Sequence, residues 1–150
     1  MTTLQTDSET PSTEINSNNI VEVIETVIHS LDSDTAMVSQ NEGGHIWKFK
    51  YGTVEVFVQL TGVTNDDTLT VWSPVLKLPA KDEAQLTRQL LETNWLNTLE
   101  ARFAIFNNEV VVLTTRTLED LSPAEISRSV TIVATIADEN DEPLIEKYGQ

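Results

Sequence analysis

Between His45 and Leu60 the chain alternates with a period of two. Trp47, Phe49 and Tyr51 alternate with Ile46, Lys48 and Lys50; after Gly52, Val54, Val56, Val58 and Leu60 alternate with Glu55, Phe57 and Gln59. Successive side chains of a strand point to opposite faces, so such a stretch can only be satisfied by a sheet with one face on a core. Gly52 is the natural turn or bulge between the two strands. A third strand is predicted over Thr68–Leu78, with Leu69 and Val71 on one face and Trp72 on the other. Pro74 in it predicts an edge or a break, because proline cannot donate to a ladder. Sequential strands of this kind pair as an antiparallel meander. Ala36–Gln40 is compatible with a further short strand outside these three, followed by a turn at Asn41-Glu42-Gly43-Gly44.

Helical periodicity flanks this sheet. Ile20, Val23, Ile24, Val27, Ile28 and Leu31 fall on one face of a helix that Asn19 and Glu22 would cap. A second helix is predicted from Lys81 to Asn94, with Leu86, Leu90 and Leu91 as its apolar stripe. Asn94 would close it in the left-handed conformation, and Trp95 would plug the corner beyond. Ala101–Phe106 and Glu109–Thr115 then flank Asn107-Asn108, two residues that tolerate the positive φ of a type I′ turn. The last helix carries the clearest start signal. Ser122 is the cap, Pro123 the first helical residue, Glu125 the reciprocal acid, and Leu121 with Ile126 a hydrophobic staple. Ile126, Val130, Val133 and Ala137 face one way, and Ile132 and Ile136 widen that stripe to nearly half the helix. Asp138–Glu142 reads as a polar break and Pro143 as the start of a final turn.

The order is thus α-βββ-α-ββ-α: an α+β fold, one domain, with helices on one face of a largely antiparallel sheet. Residues 1–18, rich in Ser, Thr, Asn and Glu, cannot bury apolar area and read as a disordered acidic tail, leaving 19–148 as the domain.

Chemistry is harder to find. The chain has no cysteine, which removes thiol catalysis, disulfides and thiolate metal sites and is compatible with the cytoplasm, the expected location. Its net charge of -15 repels phosphate backbones and anionic lipid, so neither nucleic acid nor membrane is an expected partner. The amino terminus lacks the basic and apolar regions of a signal peptide, and no run approaches the length of about 18 apolar residues that a span needs. His29 and His45 are far apart and read as solvated surface. Asp138, Asn140 and Glu142 are spaced like the first ligands of a calcium loop, but Pro143 and Gly149 stand where glycine and a bidentate glutamate are required. No catalytic residue, metal or cofactor is expected.

One stretch carries a resemblance. Trp72-Ser73-Pro74-Val75 with Leu78-Pro79, Leu90-Leu91-Glu92-Thr93-Asn94, Ala101-Arg102-Phe103-Ala104-Ile105, and Val133-Ala134 leading to Ala137-Asp138-Glu139 resemble the YbjN-like family. These are small bacterial proteins, common in cyanobacteria, labelled as sensory transduction regulators, with a fold similar to that of type III secretion chaperones. The resemblance runs over residues 19–148 and points to a cyanobacterial member. It implies a homodimer that binds a protein client rather than catalysing a reaction. Two readings stay open: a chaperone-like adaptor, and a regulatory domain that senses a small ligand in a pocket under Trp72 or Trp95. For the adaptor, Ile132, Ile136 and Trp72 are the candidate partner-binding residues. The same isoleucines could equally be core, since broad stripes also mark well-buried helices.

Overall fold

The computed structural model describes residues 17–32, 36–41 and 44–150. The predicted tail falls almost wholly outside these residues, as does half of the turn at 41–44. Three helices and six strands follow in the order α1 (Ser17–Leu31), β1 (Ala36–Asn41), β2 (Gly44–Tyr51), β3 (Val54–Leu60), β4 (Thr68–Lys77), α2 (Glu83–Leu96), β5 (Arg102–Phe106), β6 (Glu109–Thr117) and α3 (Pro123–Tyr148). The strands form one antiparallel sheet ordered β1-β2-β3-β4-β6-β5. Helix α1 begins at Ser17, so Asn19 lies inside it and is not its cap.

The period-two pattern sorts the sheet as expected. Trp47, Phe49, Val54, Val56, Val58, Leu60, Leu69 and Val71 are buried in one continuous core, together with Ile20, Ile24 and Ile28 of α1. The Trp47 indole donates to the carboxylate of Glu25 at 3.1 Å, which ties α1 to the sheet. His45, expected at the surface, is half-buried and stacks on Trp47 with ring centroids 5.3 Å apart. His29 is exposed.

Helix α3 packs mainly on β4, also touches β3 and β6, and meets α1. Contact with both the sheet and α1 explains its broad apolar stripe. Ile132 and Ile136 retain 8% and 7% exposure, so within one chain this breadth serves the core. The capping box is present in full: Ser122 Oγ accepts from the Glu125 amide, and the Glu125 carboxylate accepts from the Ser122 amide. Leu121 and Ile126 are both buried, as a staple requires.

The Ser122 amide, with help from Arg116 and the Ser122 hydroxyl, holds the Glu125 carboxyl below its usual value of 4.5. A depressed carboxylate stabilises the fold above its unfolded pKa and loses that contribution as pH falls through the folded one. Amide protection at the start of α3, taken as the ratio of intrinsic to observed exchange rate at each pH, should therefore be high at neutral pH and fall on acidification below the ordinary carboxylate range. Ser122→Ala should lower it already at neutral pH, at a cost of about 1 kcal/mol. Exchange mass spectrometry over peptides containing 122–126 reads both effects.

Three expectations about elements are corrected. The polar break at Asp138–Glu142 does not occur; α3 runs unbroken to Tyr148 with Pro143 inside it. Proline removes the bond to the Glu139 carbonyl, but Pro143 is exposed, so water can serve that carbonyl. Buried Leu144 and Tyr148, one turn apart, hold the last turns down. Pro74 sits on a central strand, not an edge: β4 lies between β3 and β6, and the ladder slips a residue between Pro74 and Leu76. That bulge accommodates the missing donor. Helix α2 does not end at Asn94 but runs to Leu96 with Asn97 as its cap.

The hairpin turn is as expected, with Asn107 and Asn108 at φ 55 and 59. Gly52 has φ 57 in the two-residue turn between β2 and β3.

Candidate functional site

Helix α2 is held to the domain by a few specific contacts. Its buried side chains are Leu86 and Leu90. Asn94, freed from a terminating role, lies beside β5. Its side-chain oxygen accepts from the Phe103 amide at 2.8 Å, and its amide group reaches the Phe103 carbonyl. One asparagine thereby pairs both backbone groups of a strand residue. The Tyr148 hydroxyl donates to Gln89 at 2.7 Å and ties the end of α3 to the same helix.

The outward side of α2 is apolar. Leu91 is 64% exposed, Trp95 87%, Leu96 70% and Leu99, just past the helix, 71%. Trp95 was expected to plug a corner; it is instead the most exposed large hydrophobic side chain described. Leu91 was expected in the buried stripe and also faces out. Ala84, Thr87, Arg88, Leu91, Glu92, Trp95 and Leu96 line one shallow concavity. Arg88 and Glu92 pair across one turn at 3.1 Å, so the charges on this face offset each other.

A second apolar surface lies on the sheet face away from the helices. Trp72 stacks on Phe57 with centroids 5.1 Å apart and 11° between planes. Phe106 meets the Trp72 ring edge-on at 6.0 Å. Trp72 is half-buried and Phe106 is 51% exposed. Two clefts open beside this trio. One of about 660 Å³ runs from Phe57 and Trp72 past Pro74 to Ile145. The other, about 310 Å³, lies between Trp72, Ile105, Phe106 and Leu113. Of the sequence candidates, Trp72 is thus at an accessible surface, whereas Ile132 and Ile136 lie on a separate, buried element.

The acidic foot of α3 closes one end of the larger cleft. Asp138 accepts from the Thr53 amide at 2.9 Å, and Asp141 lies 2.8 Å from the Thr53 hydroxyl. Asp138, Asn140 and Glu142 do not converge, because residues two apart on a helix face different ways. Among the described residues no group of three or more His, Asp or Glu is placed to hold a metal. Among the described residues the carboxylates with shifted pKa are lowered, first by the Thr64 side chain at Asp67, by Arg128 at Glu100 and by the Ser122 amide at Glu125. That is the opposite of a carboxyl poised as a general acid.

The family model for YbjN, described as "Putative bacterial sensory transduction regulator", matches residues 21–146. The chain belongs to the YbjN family. Among solved structures, this YbjN-family protein is similar to a chain of the crystal structure of the ExsC-ExsE complex, with a TM-score of 0.62 at 12% identity. The match covers 86% of this chain and 96% of that one, so the type III secretion chaperone fold extends over nearly all of both. At that identity the likeness is one of fold. No curated protein sequence matches this one. No described helix is long and apolar enough to cross a membrane.

Sequence reasoning did not place Leu91, Leu96 and Leu99 at a surface, and took Trp95 as a plug or the roof of a ligand pocket. A signal was present: Leu91, Trp95 and Leu99 recur every four residues, on a different face from Leu86 and Leu90. A helix with two apolar faces and one core to fill leaves one face for something else.

Proposed function

We propose that this YbjN-family protein is a non-enzymatic, chaperone-like adaptor that works in the cytoplasm as a homodimer and binds a segment of a protein client. The observation that carries the reading is the apolar surface left open on one chain. Leu91, Trp95, Leu96, Leu99, Ile105 and Phe106 are each at least 51% exposed, on α2, the loop after it and the β5 hairpin. Exposed apolar side chains gathered in this way mark interaction surfaces. The ExsC-ExsE structure, a complex of two proteins in a similar fold, supports it.

The two faces suit different tasks. The α2 face is charge-balanced through Arg88 and Glu92 and suits a second copy, since a twofold interface sets the same patch against itself. The sheet face around Trp72 suits the client. The domain doing this comprises residues 19–148, with the acidic tail outside it.

The test is capture from native lysate on immobilised protein, with Trp72→Ser in parallel. Trp72 lies outside the core cluster, so the variant keeps the fold. One protein retained in near-stoichiometric amount by the parent and weakened on the order of 30-fold by Trp72→Ser is the expected result, the size typical of a central tryptophan. Recovery of no protein, with a small molecule co-purifying instead, would refute the adaptor and favour ligand sensing.

A further inference from the structure

The open face of the sheet differs in charge from the rest of the molecule. Register sets one row across five strands: Lys48 opposite Phe57, Phe57 opposite Trp72, Trp72 opposite Leu113, and Leu113 opposite Arg102. Three apolar side chains are bracketed by two cations. With strands about 4.8 Å apart, the row is about 19 Å long. Lys50 lies two residues from Lys48 on the same face, and Lys77 lines the larger cleft with Trp72 and Pro74. Four of the chain's nine Lys and Arg therefore gather here, although the whole chain has a net charge of -15. The carboxylates that these strands add to the face are Glu55 and Glu109.

These cations are available. Lys48 meets Glu55 at 3.7 Å, with side chains 44% and 51% exposed, so water competes for the pair. Arg102 is exposed and makes no ion pair among the described residues. The alternation within β2 separates Lys48 from Trp47 and Phe49, yet strand pairing sets it beside Phe57.

We propose that this face takes an extended peptide whose short apolar centre is flanked on both sides by carboxylates. The centre lies over Phe57, Trp72 and Leu113; the flanking acids meet Lys48 or Lys50 at one end and Arg102 at the other. An extended segment of about six residues spans about 20 Å, which matches the row. The inference rests on the adaptor reading and names the client's chemistry. A phosphate backbone would need a longer track of cations than this row provides, and would meet the acidic remainder of the chain. A second copy would bring the same net negative charge but has the neutral α2 face to use.

The experiment uses two fluorescein-labelled peptides that share the centre Ala-Leu-Phe-Leu, one flanked by Glu and one by Lys, titrated with full-length protein and read by anisotropy. The Glu-flanked peptide should bind at least about ten-fold tighter, and the gap should narrow with added salt as screening grows. Lys48→Glu combined with Arg102→Glu should reverse the preference, while Trp72→Ser weakens both peptides. Equal affinities, or tighter binding of the Lys-flanked peptide, would overturn the charge assignment and leave peptide binding standing. Binding of neither peptide would remove the face as a peptide site, with lysate capture judging the adaptor separately. Tighter binding of an oligothymidine or of phosphatidylserine vesicles than of either peptide would also overturn it.

Discussion

Trp95→Glu is expected to convert the proposed homodimer into a monomer, weakening self-association by about 100-fold or more. Trp95 is 87% exposed and stands among Leu91, Leu96 and Leu99. A tryptophan at the centre of an interface costs about 2–4 kcal/mol when removed. About the twofold axis of a homodimer each substitution acts twice, and two new carboxylates would face each other in a protein already at -15. The single chain should not suffer, because α2 is held by Leu86, Leu90, the Asn94 pair to Phe103 and the Tyr148 bond to Gln89. Sedimentation velocity from about 1 to 100 µM reads the result, with circular dichroism as the folding control. A parent protein that is monomeric at tens of micromolar would refute the dimer. An unchanged dimer in the variant would move the interface elsewhere, with Ile105 and Phe106 the next surface to probe.

Gly52→Val should cost about 3 kcal/mol or more of folding stability. Gly52 holds φ 57, a conformation that a β-branched residue adopts only under strain. A Cβ there would also run into the Asp138 carboxylate. That carboxylate accepts from the Thr53 amide, and the Thr53 hydroxyl, with one proton to give, lies 2.8 Å from Asp141, which is 5% exposed, and 3.1 Å from Asp138. The substitution therefore strains the turn and dislodges the contact by which α3 grips the β2–β3 hairpin. Urea unfolding measures the loss. Gly52→Ala should lose less than Gly52→Val, because it meets Asp138 without adding a β-branched residue's strain at positive φ. If Gly52→Ala and Gly52→Val lose less than about 0.5 kcal/mol, the turn is not the constraint described.

Local signals carried much of the architecture. The alternation from His45 to Leu60 fixed two strands and the face each side chain took, because burial on one side leaves no freedom of register. Ser122, Pro123 and Glu125 located the last helix to the residue, since a cap is a bond between near neighbours. Asn107-Asn108 placed the hairpin for the same reason. Errors arose where the outcome depended on what lay across space. Asn94 has a left-handed tendency, yet β5 offered it two backbone groups and it stayed helical. Pro74 weakens a ladder, yet a bulge let β4 remain central. Pro143 can end a helix, yet Leu144 and Tyr148 had a core to fill beyond it.

The candidate surfaces were the least legible part. Trp72 could be placed on the face opposite Leu69 and Val71 from alternation alone. Its neighbours Phe57, Leu113 and Phe106 come from other strands, and only pairing brings them together. Ile132 and Ile136 looked like spare apolar surface because one helix face suffices for one sheet; in the fold both join the buried core, and α3 meets α1 as well as the sheet. Trp95 looked like a plug because tryptophan is usually buried somewhere; nothing in the described fold covers it. By itself the sequence determined the kinds of element, their order and their caps, all set by bonds and periodicities within a few residues. Which apolar faces are closed and which are left for a partner was decided only by the tertiary structure, because burial depends on what else arrives at the same place.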